Sequence, residues 1–404
     1  MDIQIQTVDE NKLTDKQIQS LEKVQPMWKI VFAQFLEHRM AVAGLIVICL
    51  FVLIALSAPI ITKIVGIDPS AQNPLNRYLK PMSVAELPQD QKEDKILNWE
   101  TANPEKATEV QNELIAKSMI PAEVAAADAT YSYVLNNDLE SLKQGLSTLE
   151  SSGAKDLLQL TKQFQTLHIF GTDELGRDVM IRLIYGTRVS MGVGIMVAIA
   201  STLIGLLIGC LAGYYGGILD MALMRITDSM LSLPITPVLI VIAAIDLSKI
   251  PFFQSIVGSQ NESIVKMVFI LLIFSWMTVA LLVRSNILSL REREFILAAK
   301  TLGAKDSTII LRHMVPNVIA PLLVSVTLGV GQSILFESAL SFLGLGIQQP
   351  TPSWGNMLFN AQDLISEAPF LAILPGLMIL FITMSFNYLG DGLQDAIDPK
   401  AIRR

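Results

Sequence analysis

Six stretches of this chain approach or exceed the ~20 apolar residues that a helix needs to cross a bilayer core about 30 Å thick: residues 40–61, 189–219, 230–245, 267–283, 314–336 and 368–390. Inside hydrocarbon no water pairs with a peptide group, so each stretch must close its own hydrogen bonds as a helix. The third stretch is the shortest and carries Pro234 and Pro237 near its start. The second runs into Gly213-Tyr214-Tyr215-Gly216-Gly217, which reads as a turn. Hydrophobic residues make up 51% of the chain and charged ones only 17%, below the usual quarter. The expected fold is an all-α polytopic membrane protein with six transmembrane helices.

The charges are unevenly placed. Residues 63–178 hold 18 Asp/Glu against 11 Lys/Arg, a surplus equal to the net charge of −7 of the whole chain. An acidic excess confined to one block argues against nucleic-acid binding and describes a solvated region. Basic residues crowd instead between the fourth and fifth stretches, at Arg284, Arg291, Arg293, Lys300, Lys305 and Arg312. The positive-inside bias places that loop in the cytoplasm. Six crossings then put both termini there too, in agreement with Lys29, Arg39, Lys400, Arg403 and Arg404. The chain divides accordingly into a cytoplasmic N-terminal tail (1–39), a first transmembrane helix (40–62), an extracytoplasmic helical insertion (63–167) and a core of five further helices (168–404).

The insertion opens as a proline-bearing coil (Pro69, Pro74, Pro81, Pro88). It then shows Ala and Leu at three- and four-residue steps over 104–117, 121–136 and 139–164. The first apolar stretch is too long for a signal-peptide core and follows a 39-residue leader, so it is expected to be retained. Cys49 and Cys210 fall in apolar runs, and His38, His168 and His313 have no ligand spacing, which argues against a disulfide framework or a metal site.

Three segments carry more than apolar length. In the basic loop, residues 291–302 can form three helical turns from Arg291, through Glu294, with Phe295, Ala298, Ala299 and Leu302 on one face. Gly303 stands where a helix end takes a left-handed residue. Asp306 suits the N-cap of a second helix over 307–315, and Pro316 suits the first turn of the next span. The result is an elbow whose small residues let a partner approach closely, although an ordinary amphipathic connection has the same pattern. The second segment is Gly171-Thr172-Asp173-Glu174-Leu175-Gly176-Arg177-Asp178. Here Thr172 or Asp173 can cap a helix, Asp173 and Arg177 are four apart, and Val179, Met180, Leu183 and Ile184 form a stripe suited to a helix on the outer membrane surface. A structural brace and a substrate contact are equally open readings. In the third, the stretch over 314–336 continues through Glu337 toward Gly344, and a carboxylate within a span must face protein or water. Glu337, Ser338 and Ser341 are therefore candidates for lining a pathway, with an interhelical hydrogen bond as the alternative.

The basic loop resembles the cytoplasmic coupling loop of permease subunits in binding-protein-dependent ABC importers. That pattern is Glu-Ala-Ala, three residues, Gly, nine residues, then apolar–x–apolar–Pro. Leu297-Ala298-Ala299, Gly303 and His313-Met314-Val315-Pro316 fit the spacing, with Leu297 in place of the family's Glu and His313 in place of an apolar residue. Glu294, one turn earlier, is expected to supply the missing charge. Residues 170–186, 334–355 and 386–399 are similar to the oligopeptide, dipeptide and nickel permease subgroup.

The resemblance implies the type I ABC importer permease fold in the cell membrane. It also implies a second homologous permease subunit, two ABC ATPase subunits that bind ATP and Mg, an extracellular substrate-binding protein and a peptide substrate, with nickel or another small solute as the alternative cargo. It is silent on the large insertion. No Gly-x-x-x-x-Gly-Lys-[Ser/Thr] string occurs, so this chain supplies no P-loop and is expected to be a non-catalytic subunit with no cofactor of its own. The rivals from other classes are an ion-coupled secondary transporter using Glu337 and an intramembrane aspartyl protease using Asp391. The protease would need a second Asp at membrane depth, and Asp220 and Asp228 fall in an expected inner loop.

Overall fold

The computed structural model describes residues 27–65, 67–120, 129–245, 261–359, 361 and 363–397. Residues 1–26 of the expected tail, residues 121–128 of the insertion, and Lys400, Arg403 and Arg404 lie outside these. A short helix α1 (Met27–Glu37) leads into α2 (Arg39–Val65), and between them His38 accepts the Ala41 N–H through Nδ1 at 3.1 Å.

Five helices are long and apolar enough to cross a membrane: α2, α8 (Val179–Tyr215), α11 (Glu262–Arg291), α13 (Asp306–Phe342) and α15 (Phe370–Ile397). Each outruns its apolar stretch, because a helix stops at a breaking residue and not where hydrophobicity falls. Thus α8 ends only at Gly216, whose φ of 67° leaves the helical region. Its 37 residues make a rod about 55 Å long, well beyond a bilayer core. The expected surface helix at Val179–Ile184 is therefore corrected: it is the first two turns of this rod, and Val179 and Leu183 are buried in the core.

The third apolar stretch is not one straight helix. Two helices, α9 (Gly217–Leu231) and α10 (Ile235–Ala244), meet at a bend of 85°. Pro234 sits at the break, where it offers no N–H and pushes the preceding residue out of the helical region. With ten residues, α10 is about 15 Å long, half a bilayer core.

Close packing centres on a glycine ridge. Gly205, Gly209 and Gly213 stand four apart on α8, and a Cβ on each would come within 2.6–2.8 Å of Val279, Ala280, Val283 or Ile287 of α11. Only a hydrogen lets the two backbones approach this closely. A second core gathers α2, α8, α13 and α15 around Trp354, which is fully buried in the short helix α14 (Trp354–Leu358) and meets Phe51 edge-on at 5.8 Å.

Between α2 and α8 lies a helical unit with its own core. It opens with β1 (Ser83–Glu86) and closes with β2 (Gln165–His168), paired antiparallel with Ser83 opposite His168. The helices between are α3 (Gln89–Ala102), α4 (Pro104–Ala116), α5 (Ala129–Asn136), α6 (Leu139–Ser147) and α7 (Ser152–Thr161). Ile96, Val110, Leu114, Leu142, Leu146, Leu157 and Phe164 fill its centre. The expected helix over 139–164 is two helices, because Ser151 accepts the Ala154 N–H and starts a new one. The two strands and α3 carried no periodic signal: α3 buries little beyond Ile96.

Candidate functional site: the elbow and the hydroxyl-lined cavity

The elbow is built by α11, the two-turn helix α12 (Glu294–Thr301) and the start of α13. Arg291 is the last residue of α11, so α12 begins at Glu294 and not at Arg291 as expected. Gly303 ends it with φ 79°, the Gly303 N–H on the Lys300 carbonyl and the Ala304 N–H on that of Ala299, the hydrogen-bond pair of a glycine C-cap. Asp306 caps nothing with its side chain. Its carboxylate accepts the Tyr214 hydroxyl at 2.6 Å, a partner 92 residues away that outcompetes the local backbone. The expected separate helix over 307–315 is the first part of α13. A π turn at Ile309–Met314, with Val315 N–H on the Ile310 carbonyl, carries the helix past Pro316, which has no N–H to give.

One side of α12 is anchored and the other is bare. Ile296 is buried against Val283, Ile287, Ile309 and Met314, with Ala299 half-buried beside it. Arg291 donates to the Tyr214 carbonyl at 3.3 Å, Lys300 lies 5.5 Å from the Tyr214 ring centre, and Arg284 grips Asp220 at 2.5 and 2.6 Å. Phe295, Leu297, Ala298 and Leu302 are exposed, Leu302 to 87%. Beside them a cleft of about 340 Å³ is walled by Tyr214, Tyr215, Arg291, Leu297 and Lys300. Four apolar residues exposed within eight positions make a patch of the kind that marks a contact with another protein.

At the other end of α8 the Gly171–Asp178 segment is a tight loop, not a capped helix. Gly171 and Gly176 both have positive φ, and a Cβ on either would strike the carbonyl of Leu79 or Asn73. Neither Thr172 nor Asp173 caps a helix. Asp178 does, accepting the Ile181 N–H at 2.8 Å and meeting His168 Nδ1 at 2.7 Å. Thr172 donates to the Asn76 carbonyl and accepts the Leu79 N–H at 2.9 Å. The four-residue spacing does produce an ion pair, Arg177 Nε to Asp173 at 2.7 Å, and Arg177 also reaches Gln349 at 3.0 Å. The six residues Gly171, Thr172, Asp173, Gly176, Arg177 and Asp178 thus form one latch. It fastens the end of the inserted unit and the 349 loop to the head of α8.

Glu337, Ser338 and Ser341 are buried and turned toward protein. The Glu337 carboxylate accepts Ser190 of α8 at 3.0 Å and Ser341 at 2.8 Å, while Ser190 in turn accepts the Trp354 N–H at 3.1 Å. Of the two readings of this group, the contacts here are those of the interhelical hydrogen bond, which fastens α8, α13 and α14 together. The polar cavity lies elsewhere. A space of about 410 Å³ opens between α8, α10, α11 and α13, and its hydrophilic lining is Ser201, Thr202, Ser275, Thr278, Ser325, Gln332 and Ser333. Sequence reading passed over these because single hydroxyls in apolar helices routinely bond back to their own backbone, as Ser275 does to Leu271. The available signal was the helical spacing of Ser325, Gly329 and Gln332 on one face.

Residues 205–403 match the family described as binding-protein-dependent transport system inner membrane component, and residues 26–81 match the N-terminal TM domain of oligopeptide transport permease C. A dipeptide transport system permease protein of Alkalihalophilus pseudofirmus is 42% identical over 233 residues, spanning 58% of this chain and 72% of that protein. A glutathione transport system permease protein of Pectobacterium atrosepticum is 38% identical over 257 residues, spanning 64% and 81%. The chain belongs to the binding-protein-dependent transport permeases. An inward-facing structure of the MetNI methionine ABC transporter aligns with a TM-score of 0.42 at 17% identity, over 54% of this chain and 98% of that one. The permease is thus a multi-pass membrane component of a transport system. The N-terminal family match stops at residue 81, two residues before β1 opens the inserted unit.

Proposed function

We propose that this permease is one half of the membrane path of an ATP-driven importer of peptides. It pairs with a second homologous permease, two ABC ATPase subunits that hold ATP and Mg, and an extracellular substrate-binding protein. The elbow is cytoplasmic, as are both termini. One observation carries the reading: the bare apolar turn of α12 is rooted, through Ile296 and the Tyr214–Asp306 hydrogen bond, in α8 and α13, two of the helices that line the cavity. A push on that turn is therefore delivered to the cavity walls. Closure of the ATPases moves the elbows of the two permeases, the helices rock as rigid bodies, and the cavity alternates in access. Its lining of neutral hydroxyls and one amide offers donors and acceptors to peptide groups without selecting side-chain charge.

The comparison proteins transport dipeptides and glutathione, and this chain takes the same substrate class. Glu294, exposed on the first turn of α12, supplies the charge that Leu297 lacks. Glu294→Ala then weakens ATPase assembly and Leu297→Glu does not; the reverse result overturns that assignment. The inserted unit seats the binding protein. Because the Leu87 N–H donates to the Phe164 carbonyl at 2.8 Å, residues 87–164 can be replaced by a two-residue turn closing the hairpin, and the shortened permease should bind the loaded binding protein more weakly. The whole reading is tested by copurification and uptake. ATPase chains should accompany the permease, and Leu302→Glu should release them. Uptake that survives ATP depletion while a proton gradient persists would refute it in favour of an ion-coupled carrier.

A further inference from the structure

A second cleft of about 520 Å³ opens at the end of α8 opposite the elbow. One wall is a single face of α8, carrying Tyr185, Arg188 and Gly192; the others are Pro69, Asn261 at the head of α11, and Thr351. Two features set it apart from a packing defect. Among the described residues Arg188 has no ion-pair or hydrogen-bond partner, although the neighbouring Arg177 and Arg182 are both committed to Asp173. Gly192, one turn deeper, has no atom within 4 Å of where a Cβ would stand, so the helix surface there is open space and not a contact. The cleft and the hydroxyl-lined cavity share two walls: α8 gives Arg188, Gly192 and Met196 to the first and Ser201 and Thr202 to the second, and α11 gives Ile264 to the first and Leu271 and Ser275 to the second, with the buried Val193 and Val197 packed between them. From Arg188 to Ser201 is about 20 Å along the helix.

We propose that this cleft is an antechamber in which Arg188 receives the terminal carboxylate of the incoming peptide before the chain enters the neutral cavity. A planar guanidinium with all its donors free matches a carboxylate in two parallel hydrogen bonds. The Tyr185 hydroxyl, 3.4 Å from Thr62, and the Asn261 amide lie in the same cleft for the adjoining peptide group. The cavity beyond holds no charged side chain in its lining, so the carboxylate is recognised at the mouth and not inside. The proposal rests on the peptide-import reading.

The test uses the whole transporter with its binding protein in proteoliposomes and compares one tripeptide as the free acid and as the C-terminal amide. The binding protein's own preference is the same in both preparations and cancels. Arg188→Gln should slow uptake of the acid by about ten-fold, the weight of one charge-assisted pair, and leave the amide unchanged. Arg188→Lys should retain part of the preference. Gly192→Val, whose side chain enters open space, should narrow the cleft and slow both forms. Equal slowing of acid and amide by Arg188→Gln overturns the proposal and assigns Arg188 to lipid headgroups or to docking. Should the Gln variant not assemble, a Lys variant with no acid preference overturns it equally. Failure of the unaltered transporter to move either tripeptide would instead refute the peptide reading itself.

Discussion

Replacing Gly209 by alanine tests whether the α8–α11 ridge sets the packing of the bundle. The added methyl would lie 2.6 Å from both the Ala280 carbonyl oxygen and the Val283 Cβ. A relaxed contact needs about 3.5 Å, so the two helices must part by about 0.9 Å. The carbonyl cannot rotate away, because it belongs to the helix backbone. Met277, Ala280, Val283 and Ile287, all fully buried, lose contact as the gap opens. Overpacking of this kind costs about 1–3 kcal/mol. Alanine also gains about 0.8–1.0 kcal/mol over glycine in helix propensity, so a matched control is needed. Gly192→Ala on the same helix gains the propensity and meets nothing. The difference between the variants isolates the steric cost. Unfolding of the purified permease in detergent, followed as inactivation half-life at one temperature, should show Gly209→Ala less stable than Gly192→Ala by about 1–3 kcal/mol. Adding Gly205→Ala should cost less than a second full increment, since the first separation relieves the second. Equal half-lives for the two single variants would refute the close-approach reasoning.

Asp173→Asn should cost about 3–5 kcal/mol, since it strips the buried Arg182 of its ion pair and leaves the buried Arg177 with Glu174 alone; amide exchange across residues 171–178 reads the loss, and a double variant with Arg177→Gln should be milder than the sum. Glu337→Gln keeps an acceptor for the surrounding serines and should leave stability nearly unchanged, while Glu337→Ala should cost about 1–3 kcal/mol; uptake abolished by the glutamine variant at unchanged stability would assign the charge a transport role. In the inserted unit Glu113 accepts the Ser151 and Glu150 N–H groups at 3.2–3.3 Å, and hydrogen bonding from Ser151 holds its carboxyl below the usual range. A carboxyl depressed on folding stabilises above its unfolded value and loses that contribution as acid protonates it. Melting of the unit should therefore fall more steeply below about pH 4.5 in the unaltered chain than in Glu113→Gln.

The legible parts of the sequence were those decided by one residue and its near neighbours. Apolar length marked five of the crossing helices, Gly303 marked the end of α12 because only its backbone needed to be read, and Pro234 marked the trouble in the third stretch without fixing the angle. Distance along the chain defeated the rest. Asp306 looks like an N-cap until Tyr214 arrives from the end of another helix. Asp173 and Arg177 looked like a helical pair, and their ion pair is real, but Gly171 and Gly176 bend the loop that brings them together. Glu337 is conspicuous as a carboxylate in a span and both of its readings start from that, whereas the hydroxyls that line the cavity are individually ordinary.

The two ends of α8 explain why one helix matters so much to the mechanism. At its head Asp178 and Arg182 hold it to the latch and to the inserted unit, and at its foot Tyr214 holds it to Asp306 and so to the elbow. Between them the glycine ridge joins it to α11 with no side chain of α8 in the seam, its backbone against the Trp276, Ala280 and Arg284 carbonyls and the stiff β-branched Val279, Val283 and Ile287. Side-chain layers absorb small displacements by changing rotamer; a backbone-to-backbone contact has no such slack. In the proposed mechanism α8 and α11 move as one body, along an α8 about 55 Å long. The cavity lies on the flank of that body, against α10 and α13, so motion of the elbow must change the cavity's shape by shifting α13 relative to the pair. Loosening the ridge should for this reason uncouple ATP hydrolysis from uptake before it abolishes either, and a Gly209→Ala transporter in which both activities fall in strict proportion would show that force takes another route.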